Sequence, residues 1–129
     1  MKLNPDCVRD ILFAVEETVD YYTMFEYVAV DGVHEKLKKY SHDEVVYHIH
    51  QCNLSGLLHG CDINISGAYV RIEDLSPAGH EFLSNTRKNA VWEKVKKVGD
   101  EIGSDSLRSL AAIAGQMIRQ LIKDNLPVT

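Results

Sequence analysis

Cys61-Asp-Ile-Asn-Ile-Ser-Gly-Ala-Tyr-Val-Arg-Ile72 alternates apolar and polar side chains on either side of Ser66-Gly67. A Ser-Gly pair between two such runs predicts a two-residue turn joining antiparallel strands. Folding about that turn sets Ile65 opposite Ala68, Ile63 opposite Val70 and Cys61 opposite Ile72, all on one face. The other face receives Asn64 opposite Tyr69 and Asp62 opposite Arg71, an opposite-charge pair. A slip of one residue would turn Asp62 and Arg71 inward, so the two faces together fix the register.

Upstream of the hairpin, Ser41-His-Asp-Glu44 is a capping box, in which the hydroxyl and the carboxylate satisfy each other's backbone donors. Tyr40 and Val45 staple that start, Val45, Ile49 and Cys52 give a buried stripe, and Gly56 supplies a left-handed stop with Leu57 folding back on Cys52. A helix is therefore predicted over Ser41–Ser55. Further upstream, Asn4 caps a first helix with Pro5 and Asp6 behind it, and Leu3 and Val8 form its staple. Its stripe is Val8, Ile11, Leu12, Val15, Val19 and Tyr22, and it ends near Asp20. Met24 to Val30 reads as a strand closed by Asp31-Gly32, and His34 to Tyr40 as a short basic helix.

Downstream, Ser76-Pro77 opens a helix with Phe82, Leu83, Thr86 and Ala90 inward. Val91, Val95, Val98 and Ile102 continue on a rotated face, which predicts a break near Asn89. Gly103 stops that helix, and Ser104 or Ser106 starts the last one. There the stripe is Leu107, Leu110, Ala111, Ala114, Met117, Leu121 and Ile122, ended by Asn125-Leu126-Pro127.

Helix, strand, short helix, capped helix, hairpin, helix is the element order of a winged helix-turn-helix domain. The expected class is α+β, with a three-stranded antiparallel sheet and an additional C-terminal helical pair. Residues 1–75 form the winged-helix core, and residues 76–129 a helical extension packed on it within a single domain. A chain of 129 residues, 45% of them hydrophobic, suits one apolar core. No apolar run approaches a membrane span, and no signal-peptide core follows Met1-Lys-Leu-Asn-Pro-Asp6. No membrane association is expected, and the location expected is cytoplasmic.

Four blocks carry a further resemblance: Met1-Lys-Leu-Asn-Pro-Asp-Cys-Val-Arg-Asp-Ile-Leu12, Tyr47-His-Ile-His50 before Gly56-Leu57-Leu58, Asp74-Leu-Ser-Pro-Ala-Gly-His-Glu-Phe-Leu83, and Trp92-Glu-Lys-Val-Lys96. In this order, over nearly the whole chain, they resemble the uncharacterised domain-of-unknown-function family numbered twenty-five thirteen. The resemblance implies a winged-helix fold and a phage or prophage origin, hence the cytoplasm of a bacterial host cell. It implies no activity and transfers no catalytic residue.

The net charge is -5, from 14 Lys+Arg against 19 Asp+Glu, which argues against nonspecific coating of nucleic acid. Residues 1–31 hold Lys2 and Arg9 against seven carboxylates, whereas residues 32–40 hold three lysines against Glu35. Arg87, Lys88, Lys94, Lys96 and Lys97 make the one dense basic stretch, read as a solvated helix face. Cys7, Cys52 and Cys61 contain no Cys-x-x-Cys pair, so buried free thiols are expected. His48 and Cys52 are four apart on one helix, but the register sends Cys61 to the core face while His59 lies near the strand's start, so four ligands do not converge and no metal site or cofactor is expected. His34-Glu35 and His80-Glu81 lack a second histidine at the zincin spacing, and no nucleophile elbow or phosphate loop is present. The expectation is a protein that is not an enzyme, with no catalytic residue.

Two functional readings remain. In the first, a DNA-binding regulator, Ser41–Ser55 enters the major groove of double-stranded DNA. Its outward side chains are Asp43, Tyr47, His50, Gln51 and Leu54, with His48 at the edge. Gln51, Tyr47 and His50 then read or position, while Lys36, Lys38 and Lys39 contact phosphates. The absence of Lys and Arg from that helix opposes this reading. In the alternative, the same scaffold is an adaptor holding a host or phage protein. Either is compatible with a homodimer through the C-terminal helices, where Ala111, Ala112, Ala114 and Gly115 permit close helix approach, although intramolecular packing explains that stripe equally well.

Overall fold

The computed structural model describes residues 1–29, 32–64, 66, 68–104 and 106–127. It is α+β, and the chain divides into two compact units, Met1–His80 and Glu81–Thr129.

In the first unit, α1 (Pro5–Thr18) starts where the sequence places it, with Asn4 Oδ1 accepting from the amides of Asp6 and Cys7 at 3.1 and 3.4 Å. Cys7, Val8, Ile11, Leu12, Ala14 and Val15 form its buried face. The helix stops at Thr18, however, and Tyr22 is no part of its stripe. Asp20 instead folds the chain into a tight turn, and β1 (Phe25–Val28) follows. The predicted end of that strand, Val30, and the Asp31 behind it lie outside the described residues. The short helix expected over residues 34–40 is a single 3-10 turn, Glu35–Leu37, capped by His34 and anchored by the buried Leu37.

Helix α2 (His42–Leu54) is delimited by the features seen in the sequence. Ser41 Oγ accepts from Glu44 N–H at 3.2 Å. At the other end Gly56 has φ +75°, its N–H donates to Asn53 O, and Leu57 N–H donates to Cys52 O, a complete Schellman motif. Only half of the capping box forms. The Glu44 carboxylate turns away from Ser41 and accepts from Asn4 Nδ2 at 3.5 Å, because the start of α1 lies against the first turn of α2.

The hairpin has the deduced register. β2 (Leu58–Ile63) pairs antiparallel with β3 (Tyr69–Leu75), with Cys61 opposite Ile72, Asp62 opposite Arg71 and Ile63 opposite Val70. Asn64 N–H donates to Tyr69 O. The Ile65–Ala68 pair and the Ser66-Gly67 turn involve Ile65 and Gly67, which lie outside the described residues. β1 pairs with the other edge of β3, Phe25 opposite Ile72 and Tyr27 opposite Val70, giving the sheet order β1-β3-β2. Phe25, Tyr27, Val70 and Ile72 are buried, and α1 packs on β3. Asp62 and Arg71 face solvent 3.6 Å apart.

Helix α3 (Pro77–Thr86) follows β3 directly and crosses the division between the units. Ser76 Oγ accepts from Gly79 N–H, and Ser76 N–H donates to Leu57 O. In the second unit the break near Asn89 is present, and α4 (Asn89–Ile102) starts after Lys88. Its inward stripe differs from expectation. Trp92, Val95 and Gly99 are buried, Val91 and Val98 are half-buried, and Ala90 and Ile102 are exposed. Gly103 closes α4 at φ +71°, and Ser106 caps α5 (Leu107–Asn125). Leu107, Leu110 and Ala114 are buried as predicted, but Leu121 and Ile122 are not: the stripe outruns the surface that covers it.

Candidate interaction surface

The first turns of α2 are tied to the start of α1. Asn4 is the hinge of this arrangement. Its side chain caps α1, its Nδ2 reaches Glu44, and its N–H donates to His48 Nε2 at 2.7 Å. His48 Nδ1 then donates to Glu44 O at 2.7 Å, so the ring is the neutral tautomer with its proton on Nδ1. His48 is completely buried, not at the helix edge as its position on the wheel suggested. Both ring nitrogens are engaged, which removes it as a base reader and as a metal ligand. Among the described residues no group of three or more His, Cys, Asp or Glu side chains is arranged to hold a metal ion.

The six proposed DNA contacts fall into two sets. The lysines each meet a carboxylate: Lys36 Nζ lies 3.5 Å from Glu17, Lys38 Nζ 2.9 Å from Glu35, and Lys39 Nζ 3.1 Å from Asp10. Lys36 also stands over the Phe13 ring, and Lys39 over Tyr40. The Lys38 pairing draws the Glu35 carboxyl below its ordinary range. Asp10 accepts from Tyr40 Oη at 2.6 Å as well, and burial first, then this carboxylate, pushes the Tyr40 phenol strongly upward. On α2 itself Tyr47 is half-buried with its ring edge against His48, whereas His50 is exposed and Gln51 half-exposed. Among the described residues the side chains of His50 and Gln51 make no hydrogen bond or ion pair. Leu54 completes this face and is largely exposed.

A second surface was not anticipated. Tyr21 and Tyr22 are 93% and 92% exposed, with their rings edge to face at 5.1 Å. They stand on a turn built by Asp20: its Oδ1 accepts from Tyr22 N–H at 2.8 Å, and its N–H donates to Thr23 O. The Tyr22 N–H bond first, and Thr23 second, hold the Asp20 carboxyl below its usual range. The signal was present in the sequence, since an aspartate two residues before an amide it can bind favours a turn over another helical step. The tyrosines lead into the outer sheet face, where Met24, Val28 and Tyr69 are partly exposed and Tyr69 Oη donates to Glu26 at 3.0 Å. The unit that carries both surfaces is anionic: Met1–His80 contains thirteen carboxylates and six Lys+Arg.

The cysteines play no part in either surface. Burial pushes Cys7 up to about 12 and Cys61 up to about 11, and drives the fully buried Cys52 higher still. A thiol at about 11 is ionised to roughly one part in a thousand at pH 8, against about a quarter for a free cysteine. Alkylation of the native chain at pH 8 is therefore expected to be at least ~100-fold slower than in denaturant, where all three thiols should react. One thiol reacting at the free rate would show that Cys61 is held differently on its edge strand.

The family model described as a hypothetical protein (DUF2513) matches residues 2–105, and the chain belongs to this family. No curated protein and no solved structure matches the chain. Among the described residues, no helix is long and apolar enough to cross a membrane.

Proposed function

We propose that this member of the DUF2513 family is a non-enzymatic winged-helix adaptor, whose anionic first unit holds a protein partner with a cationic surface. The observation that carries this reading is the Tyr21–Tyr22 pair, held almost wholly in solvent by the Asp20 turn. Tyrosine is enriched in interface cores because it buries a large ring while keeping a polar tip, and few of its torsions need ordering. A turn already fixed by hydrogen bonds has met part of that ordering cost before the partner arrives. The carboxylate excess of the same unit favours a partner rich in lysine and arginine and slows encounter with nucleic acid.

DNA regulation is the second reading, favoured by His50 and Gln51 on the exposed face of α2, whose side chains have no partner among the described residues. Against it, each of the three lysines must exchange a carboxylate for a phosphate. That exchange is cheap for the exposed Lys36 and Lys38 pairs, but Lys39 would have to leave Asp10, which is largely covered and also held by Tyr40, and no cation on α2 adds to the gain.

Photo-crosslinking from position 22 in cells that express the protein natively separates the two. The adaptor reading expects a protein adduct whose co-purification is lost in Tyr21→Ala/Tyr22→Ala and retained in Gln51→Ala. Binding to duplex DNA flanking its own gene that weakens steeply with salt, and disappears in Lys38→Glu/Lys39→Glu, would overturn it in favour of the regulator.

A further inference from the structure

The second unit leaves an apolar groove open between the first turns of α4 and the last turns of α5. Ala90, Val91, Lys94, Met117, Gln120 and Leu121 line it, and its volume is about 240 Å³. The ridge beside it is equally apolar. Leu121, Ile122 and Leu126, on the last turn of α5 and just beyond it, are 44%, 52% and 60% exposed. Hole and knob are therefore adjacent on one surface. Contiguous apolar surface that combines a groove with a ridge is the kind that a partner covers.

We infer that the occupant is a second copy of this chain, with the C-terminal turns of the two α5 helices crossing antiparallel about a two-fold axis. A two-fold contact is self-complementary: each copy seats its Ile122–Leu126 ridge in the other's groove, so one association covers both features twice. An unrelated helix would have to bring both a knob for the groove and a hole for the ridge. Charge agrees with the same geometry. Lys94 lines the groove, and among the described residues it has no carboxylate partner. Among the described residues, Asp124, one turn beyond Gln120 on the ridge, accepts only the Gln120 amide, at 2.9 Å, and meets no cation. Antiparallel crossing carries Asp124 of each copy to the Lys94 side of the other. This contact is distinct from the Ala111–Gly115 stripe, where Ala114 is already buried within the chain. It is independent of what the first unit binds.

Sedimentation equilibrium on the full chain, from about 1 μM to about 1 mM, tests it. A mass rising from 14.5 kDa toward twice that value is expected. Leu121→Asp and the more exposed Ile122→Glu should each hold the chain monomeric with an unchanged circular dichroism spectrum. Lys94→Asp and Asp124→Lys should each weaken association about tenfold, and the double exchange should restore it, as an ion pair between copies requires. A wild-type chain that stays at the monomer mass throughout, a dimer indifferent to both apolar variants, or a double exchange no tighter than the singles would overturn the inference.

Discussion

Gly79→Ala is expected to destabilise the first unit by about 3 kcal/mol, an effect out of proportion to one methyl group. A Cβ at Gly79 would lie 2.0 Å from the Leu57 carbonyl oxygen and 3.3 Å from Leu75 Cβ. The first of these is backbone, so no rotamer change relieves it. That carbonyl also accepts from Ser76 N–H at 3.0 Å, and moving it away breaks the bond that seats the start of α3 on the corner after α2. Gly103→Ala is the proper control. Gly103 has φ +71° but open space where a Cβ would stand, so it should cost only the left-handed penalty of about 1 kcal/mol. Denaturant unfolding followed by far-ultraviolet circular dichroism measures both. Equal losses for the two variants would mean that the Leu57 contact is softer than its geometry.

The second large effect is expected at Trp92→Ala, about 3–5 kcal/mol. Trp92 is buried to 2% exposure and meets Phe82 edge to face, with ring centroids 6.1 Å apart. Ile102→Ala should change stability by less than about 0.5 kcal/mol, since Ile102 faces solvent. The pair distinguishes two registers of one helix. A stripe of Val91, Val95, Val98 and Ile102 would make Ile102 the costly position; the observed stripe of Trp92, Val95 and Gly99 makes it nearly silent. Thermal unfolding of the two variants decides between them.

That contrast shows what was legible in the sequence. The hairpin register could be read because two faces constrained it at once, and a slip would have buried a charge pair. The ends of α2 could be read because Ser41 and Gly56 act through short-range hydrogen bonds, whereas the Glu44 carboxylate, expected to complete the capping box, is drawn to Asn4 from 40 residues away. The α4 stripe was misread because aliphatic residues at helical spacing also fit the neighbouring face, and the burial of Gly99, whose absent side chain admits Leu110, gives no hydropathy signal. His48 was misplaced for a different reason. Its burial depends on a backbone N–H donor 44 residues away at Asn4, a tertiary partner that no local pattern reveals. Tyr22 continued a periodicity that Asp20 had already ended. The charge objection to DNA was visible in composition, whereas the pairing of Lys36, Lys38 and Lys39 with Glu17, Glu35 and Asp10 needed coordinates.

The strand order β1-β3-β2 has a bearing on how the chain is born. The middle strand is the last to leave the ribosome, and Phe25 waits for Ile72 to be synthesised before it has a neighbour. At ordinary elongation rates that interval lasts about 2–10 seconds. During it Phe25 and Tyr27 are without their sheet, an opening for chaperones that closes only when translation passes Leu75.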